Sequence, residues 1–161
     1  MKRSFSKSGI ALSLAGALAS SVLIGPTTAL AGECPAGKVT TDGQKPGATA
    51  HKDVSEKLLG QIDLSKEKIA VAGHHLRTRR LDIKPGGEVA WHSHAERPAL
   101  IYVVSGTITE YASTCAVPIV HAAGDLSIEQ GGLSHWWKNT SDKPVTLISS
   151  DIAADPEDHN M

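Results

Sequence analysis

Two histidines one residue apart, His92 and His94, sit in the stretch GGEVAWHSHAERPALIYVVSG, residues 86–106. Side chains alternate faces along a strand, so both imidazoles project to one side, and Trp91 and Ser93 point the other way. Imidazoles one strand repeat apart can close on a single small cation, whose nitrogen ligands lie about 2 Å away. A third histidine, His135, lies in a second unit of the same kind, GDLSIEQGGLSHWWKN, residues 124–139. The chemistry these residues suit is divalent-metal binding. Neutral imidazoles accept Fe(II), Zn, Cu, Ni or Mn, with geometry and availability deciding between them.

Elements that could position such ligands are short strands between turns. Pro85-Gly86-Gly87, Ser105-Gly106, Ala123-Gly124 and Gly131-Gly132 punctuate the chain, and β-branched and aliphatic runs fill the gaps. Strands are expected at 69–83, 88–93, 99–104, 107–112, 117–121, 125–129, 133–138 and 144–152, with the first ending at Pro85. Strands at this spacing indicate a sandwich or jelly-roll barrel, an all-β fold. Residues 54–60 carry one helical turn in this reading, limited by Gly60, and 62–67 form a loop or edge segment.

The glycine, histidine and asparagine spacing resembles the two motifs of the cupin family. Gly86, His92, His94 and Gly106 match the first; Gly124, Gly132, His135 and Asn139 match the second. The resemblance covers residues 75–152. It implies a double-stranded β-helix with a divalent metal deep in the barrel mouth. Two positions depart from it: Gln130 stands where the second motif has proline, and Ala99 stands where the first has a metal-binding glutamate. The expected ligand set is therefore His92, His94 and His135, with Glu96 a candidate fourth ligand; a solvated loop carboxylate is the alternative for Glu96. Cupins with three-histidine sites imply Fe(II) as the favoured metal and dioxygenase-like chemistry on a small organic substrate. A metal- or ligand-binding protein without catalysis is a second reading, and a metal-assisted isomerase, lyase or hydrolase a third.

Other side chains have two readings each. His121 precedes Gly124 and is either a catalytic acid or base near the mouth or a rim histidine without a role. Trp137 and Asn139 share the face of His135, so they line the pocket or the core. Arg77 and Arg79 share parity with Leu81 and Ile83, which allows Arg79 to enter the pocket; surface ion pairing is the alternative. Tyr102 has the parity of an outward residue.

Composition bounds the remainder. A chain of 161 residues makes one domain with an appendage. Lys2, Arg3 and Lys7 precede an apolar run, Ile10 to Ile24, and Ala29-Leu30-Ala31 is an A-x-A cleavage site. Residues 1–31 thus read as a cleaved export signal, placing the product in a bacterial periplasm or outside the cell. Lys2-Arg3-Ser4-Phe5-Ser6-Lys7 also resembles a twin-arginine signal with lysine at its first arginine. Losing those three cations moves the formal net charge from −1 to −4. That balance, without a basic stripe, argues against nucleic acid, and nothing after the signal argues for a membrane. Cys34 and Cys115 form one expected disulfide in an oxidising compartment. Residues 32–68 form an N-terminal arm, 69–152 the barrel and 153–161 a flexible tail. Edge strands leave a homodimer open.

Overall fold

A computed structural model describes residues 32–154; the expected export signal, 1–31, and the tail from 155 onward lie outside the described residues. The elements are β1 (Lys52–Asp63), β2 (His75–Ser93), β3 (Ala99–Ser105), β4 (Thr107–Ala112), β5 (Ile119–Ala122), β6 (Leu126–Glu129), β7 (Ser134–Lys138) and β8 (Val145–Ala153), with one 3-10 turn at Leu64–Lys66. The strands pair in the order β5-β4-β7-β2-β8-β3-β6, and β1 adds to β2. Rolled up, this sheet is a nearly closed jelly-roll barrel, all-β as the turn spacing implies.

Two local expectations are corrected. Residues 54–60 are not a helical turn: they belong to β1, antiparallel to β2 from Val54↔Ile83 to Asp63↔His75. The open edge of β2 supplies a hydrogen-bond ladder that outweighs the weak helical preference of a segment interrupted by Gly60. Nor does Pro85 end the preceding strand. β2 runs on through 19 residues, bending at Gly86, whose φ of +74° suits glycine. The Gly86 N–H donates to the Asn139 carbonyl, and the Asn139 N–H donates to that of Gly87, each at 2.9 Å. The bend is thereby held while the strand changes partner, from β8 over residues 75–83 to β7 over 88–93.

That change of partner carries a register shift between Val89 and His92. Val89 is buried among the core residues, and so is His92 in the barrel. Residues 89 and 92 cannot share a face on a regular strand, because side chains alternate with period two. The bulge resets the parity, turning the alternation that buries Ile83 and Val89 into one that buries His92.

The barrel interior is graded along its length. Inward positions run Ile83, Leu81, Arg79, Arg77 on β2 and Val145, Leu147, Ser149, Asp151 on β8. The apolar end packs Leu81, Ile83, Val89, Ile101, Val103, Ile108, Trp137, Val145 and Leu147. At the polar end the Arg77 guanidinium donates to both Asp151 oxygens at 3.0 and 2.7 Å, Arg79 to Oδ2 at 3.0 Å and Arg97 to the same oxygen at 3.3 Å. Arg77 and Arg79 are thus interior ion pairs, which corrects the surface pairing weighed above. Arg79 is absorbed by Asp151 and Glu56.

Outside the barrel, the arm is laced to the β4–β5 connection. Cys34 and Cys115 are disulfide-bonded with Cα atoms 5.7 Å apart, closing a separation of 81 residues. Val39 bridges Cys115, and the Gly43 N–H donates to the Ser113 carbonyl. Beyond that, Trp136 stacks on Tyr111 and donates Nε1–H to the Lys45 carbonyl.

Burial works to raise the Asp151 carboxyl, but the three guanidinium groups outweigh it and hold it below the ordinary carboxylate range. A depressed folded-state value means that the stabilisation is complete above the unfolded value, about pH 4, and is lost as pH falls below it. The urea midpoint should therefore fall between pH 4 and pH 2. At neutral pH, Asp151→Ala strands buried guanidinium groups and should cost about 3–5 kcal/mol of unfolding free energy.

Candidate metal centre

His92 and His94 come from the end of β2 and the residue after it, and His135 from β7, directly across the pair His92↔His135. All three Nε2 atoms meet inside the barrel, at 2.9 Å (His92–His94), 3.0 Å (His94–His135) and 3.1 Å (His135–His92). The opposite ring nitrogens decide what these contacts are. His92 Nδ1 lies 2.8 Å from the Ala90 carbonyl, and His94 Nδ1 lies 2.7 Å from that of Arg97. His135 Nδ1 lies 2.6 Å from Glu110 Oε1. Carbonyl and carboxylate oxygens only accept, so each Nδ1 carries a proton, and in the neutral ring that leaves the Nε2 lone pair free for a cation.

The fourth member is Glu129 on β6. Its Oε2 is 2.9 Å from His94 Nε2 and its Oε1 is 3.6 Å from His135 Nε2. Neither oxygen is hydrogen-bonded, although the side chain is fully buried. Proximity without a hydrogen bond is what two lone-pair atoms show when both face a common point. His92, His94, Glu129 and His135 place one ligand atom each within 4.8 Å of one another. Three nitrogen lone pairs and a desolvated carboxylate in mutual contact are repulsive unless a cation lies between them. Ligands held about 2.1 Å from one ion stand about 3.0 Å apart at right angles and about 3.4 Å apart at tetrahedral angles. The observed nitrogen separations lie near these values, so the four donors are close enough to share one divalent ion.

Burial adjusts the groups accordingly. His92 is pushed down to about 2, first by burial and then by the neighbouring His135, so it is neutral in any ordinary buffer. Burial acts in the same sense on His135, but the Glu129 and Glu110 carboxylates prevail and raise it. Glu110 is held down to about 2: burial would raise it, but hydrogen bonds from His121 and His135 outweigh that. A charged carboxylate behind His135 increases the basicity of the ring as a ligand.

Glu96 is not in this set. It is exposed in the β2–β3 loop, where no strand aims it inward. The carboxylate arrives instead from the neighbouring strand. Ala99 on β3 pairs directly with Glu129 on β6, so an inward carboxylate beside Ala99 reaches the space a longer residue at 99 would fill. Nothing in the local sequence singles Glu129 out. Its strand, LSIE, turns Leu126 and Ile128 outward and Ser127 and Glu129 inward, the reverse of the usual apolar-in pattern. Glu110 likewise lies on an inward face, between Ile108 and Ala112 on β4, where the pattern alone predicts an apolar residue.

The remaining candidates are placed as follows. His121 is fully buried rather than at the rim, and its Nε2–H donates to Glu110 Oε2 at 2.8 Å. It therefore stands behind His135 through Glu110 and does not touch the metal ligands' donor atoms. Trp137 is core, edge-on to His135 with ring centroids 5.6 Å apart and tilted over His121 at 4.5 Å. Asn139 does not line the site: its amide donates to the Ile83 and Lys143 carbonyls and fixes the β7–β8 turn.

Glu129→Ala should weaken divalent-metal binding tenfold or more by titration calorimetry, with Glu96→Ala unchanged. Glu110→Gln removes the charge behind His135 and should weaken it by about 10–100-fold while leaving stoichiometry intact.

A cupin-domain family profile matches residues 79–151. Germin-like protein 5-1 of Oryza sativa subsp. japonica is 32% identical over 74 residues, which are 44% of this chain and 34% of that protein. The chain thus aligns with about a third of that relative's length. Among solved structures, a predicted oxalate decarboxylase from Thermotoga maritima superposes with a TM-score of 0.51 at 22% identity, covering 71% of this chain and 96% of the other. KdgF from Halomonas sp. gives 0.50 at 14% identity, covering 66% and 83%. At these identities the structural likeness speaks for the fold alone. With His92 and His94 at the end of the bent strand, a third histidine across the pair and a jelly-roll barrel around them, residues 79–151 form a cupin domain.

Proposed function

We propose that this protein is an exported metal-dependent oxidoreductase, dioxygenase-like, acting on a small organic substrate, with Fe(II) or Mn(II) as its metal. The observation that carries the reading is the cluster of three ring nitrogens and one carboxylate, Glu129, each offering one ligand atom within 4.8 Å of the others. Three imidazoles alone suit Cu or Zn as well as Fe. Adding a carboxylate moves the preference toward the harder Mn(II) and Fe(II).

Bound there, such an ion supplies Lewis-acid polarisation of a coordinated oxygen and one-electron exchange with dioxygen. The protein's own residues do the rest. Ala90 and Arg97 carbonyls and the Glu110 carboxylate lock the three rings in the ligating tautomer. Trp137 and the aliphatic end of the barrel exclude water from behind the site. Glu110 and His121 form a buried hydrogen-bonded pair able to hold a proton at His121 Nε2. Export to an oxidising compartment is supported by residues 1–31 as a sequence signal and is compatible with the Cys34–Cys115 disulfide.

One observation favours a second reading, a metal-binding protein without catalysis. His94, Glu129 and His135 are at most 1% exposed, and His92 only 8%, so access is narrow. Metal analysis of protein purified from its native compartment, combined with oxygen uptake over a panel of small enols, diols and hydroxy acids, separates the two. Stoichiometric Fe or Mn with metal-dependent oxygen consumption is expected. Tight metal binding without oxygen reactivity selects the second reading. A His135→Ala protein that retains full metal stoichiometry would sink both.

A further inference from the structure

Behind the metal ligands a hydrogen-bond chain runs outward and stops. His135 Nδ1–H donates to Glu110 Oε1 at 2.6 Å, and His121 Nε2–H donates to Glu110 Oε2 at 2.8 Å. With its proton on Nε2, His121 offers a lone pair at Nδ1. That atom is buried and has no hydrogen-bond partner among the described residues. A buried acceptor of this kind calls for a donor.

The residue beside it is Gly32. It is buried although Glu33 next to it is exposed. A Cβ on Gly32 would stand 2.9 Å from His121 Nδ1 and 3.4 Å from Asp125 Cβ, and its φ is +91°. Only glycine therefore seats its backbone this closely against the imidazole. The Cys34–Cys115 disulfide two residues on pins the segment there. Gly32 and Glu110 also line one cavity, of about 280 Å³. Gly32 follows the Ala29-Leu30-Ala31 cleavage motif directly.

We propose that removal of residues 1–31 creates a docked terminus: the new Gly32 α-ammonium donates to His121 Nδ1, with the Asp125 carboxylate as its counter-charge, and completes the hydrogen-bond chain behind His135. The covalent step is hydrolysis of the Ala31–Gly32 peptide bond by an external processing peptidase. Water supplies the hydroxyl for the Ala31 carboxylate, and the released amine takes up a proton. The ammonium brings three N–H donors where the peptide had one, and it brings a charge suited to Asp125. A retained Ala31 would keep that nitrogen in an amide, without the charge. The metal centre would thus be finished only in the exported form, so the proposal rests on the export reading for its biological meaning, though not for its geometry.

The test compares three chains released from a removable N-terminal fusion: one beginning at Gly32, one at Ala31, and one at Gly32 carrying Asp125→Asn. Two quantities are read, the acylation rate of the α-amine by mass spectrometry and the ¹⁵N resonance of His121 Nδ1. The Gly32 chain should acylate about tenfold more slowly than the Ala31 chain and show a shifted His121 Nδ1 resonance. Asp125→Asn should recover part of the lost reactivity while leaving the fold intact. Equal acylation rates with an unchanged resonance would overturn the docking. N-terminal sequencing of the exported chain reads the other half independently: a start at Gly32 supports the proposal, and a start elsewhere overturns it. A chain that is neither cleaved nor exported defeats the export reading itself, whatever the acylation rates show.

Discussion

Everything in this structure answers to the mutual repulsion of three imidazole lone pairs and one unpaired carboxylate. Left without a cation, Nε2 atoms about 3 Å apart would turn away or take up protons. They are held because each ring is anchored from behind by an acceptor that fixes its tautomer. Two of the anchors are backbone carbonyls close in sequence to their histidines; the third, Glu110, reaches from β4. The barrel is the frame that keeps these anchors rigid enough to oppose that repulsion.

The frame works by dividing its interior. Aliphatic side chains and Trp137 close one end, where burial of each large apolar side chain contributes about 1.5–3 kcal/mol. Charges are collected at the other end: Asp151 neutralises part of the Arg77, Arg79 and Arg97 cluster, and Glu110 is shared by His121 and His135. Buried ions of this kind add little net stability compared with apolar residues of equal size. Their value is that any displacement leaves a charge unpaired, which makes the polar end intolerant of alternative packing. The N-terminal arm joins this arrangement from outside. A disulfide draws it across the β4–β5 connection and sets Gly32 against the far end of the His135–Glu110–His121 chain.

Much of this was legible from residue types and spacing. Turn residues between short β-branched runs imply the all-β barrel, and the alternation of β3 places Ile101 inside and Tyr102 outside, as observed. The glycine–histidine spacing implies the family. Two places misled. Residues 54–60 are extended because β2 offers an open edge, a partner that no local preference contains. Glu96 is the carboxylate nearest the histidines in sequence, whereas Glu129 is the one brought to their Nε2 atoms, through the pair Ala99↔Glu129.

Sequence by itself determined the all-β class, most of the short strands after the Pro85 turn, the three imidazoles and the two cysteines. Those depend on short-range properties, namely side-chain parity, turn chemistry and composition, which the order of residues contains. Tertiary structure alone decided which carboxylate completes the site, that a bulge between Val89 and His92 turns the histidines inward, and that His121 is buried behind Glu110. Each of these depends on strand register, and register is set by how separate strands pair in space rather than by any one of them.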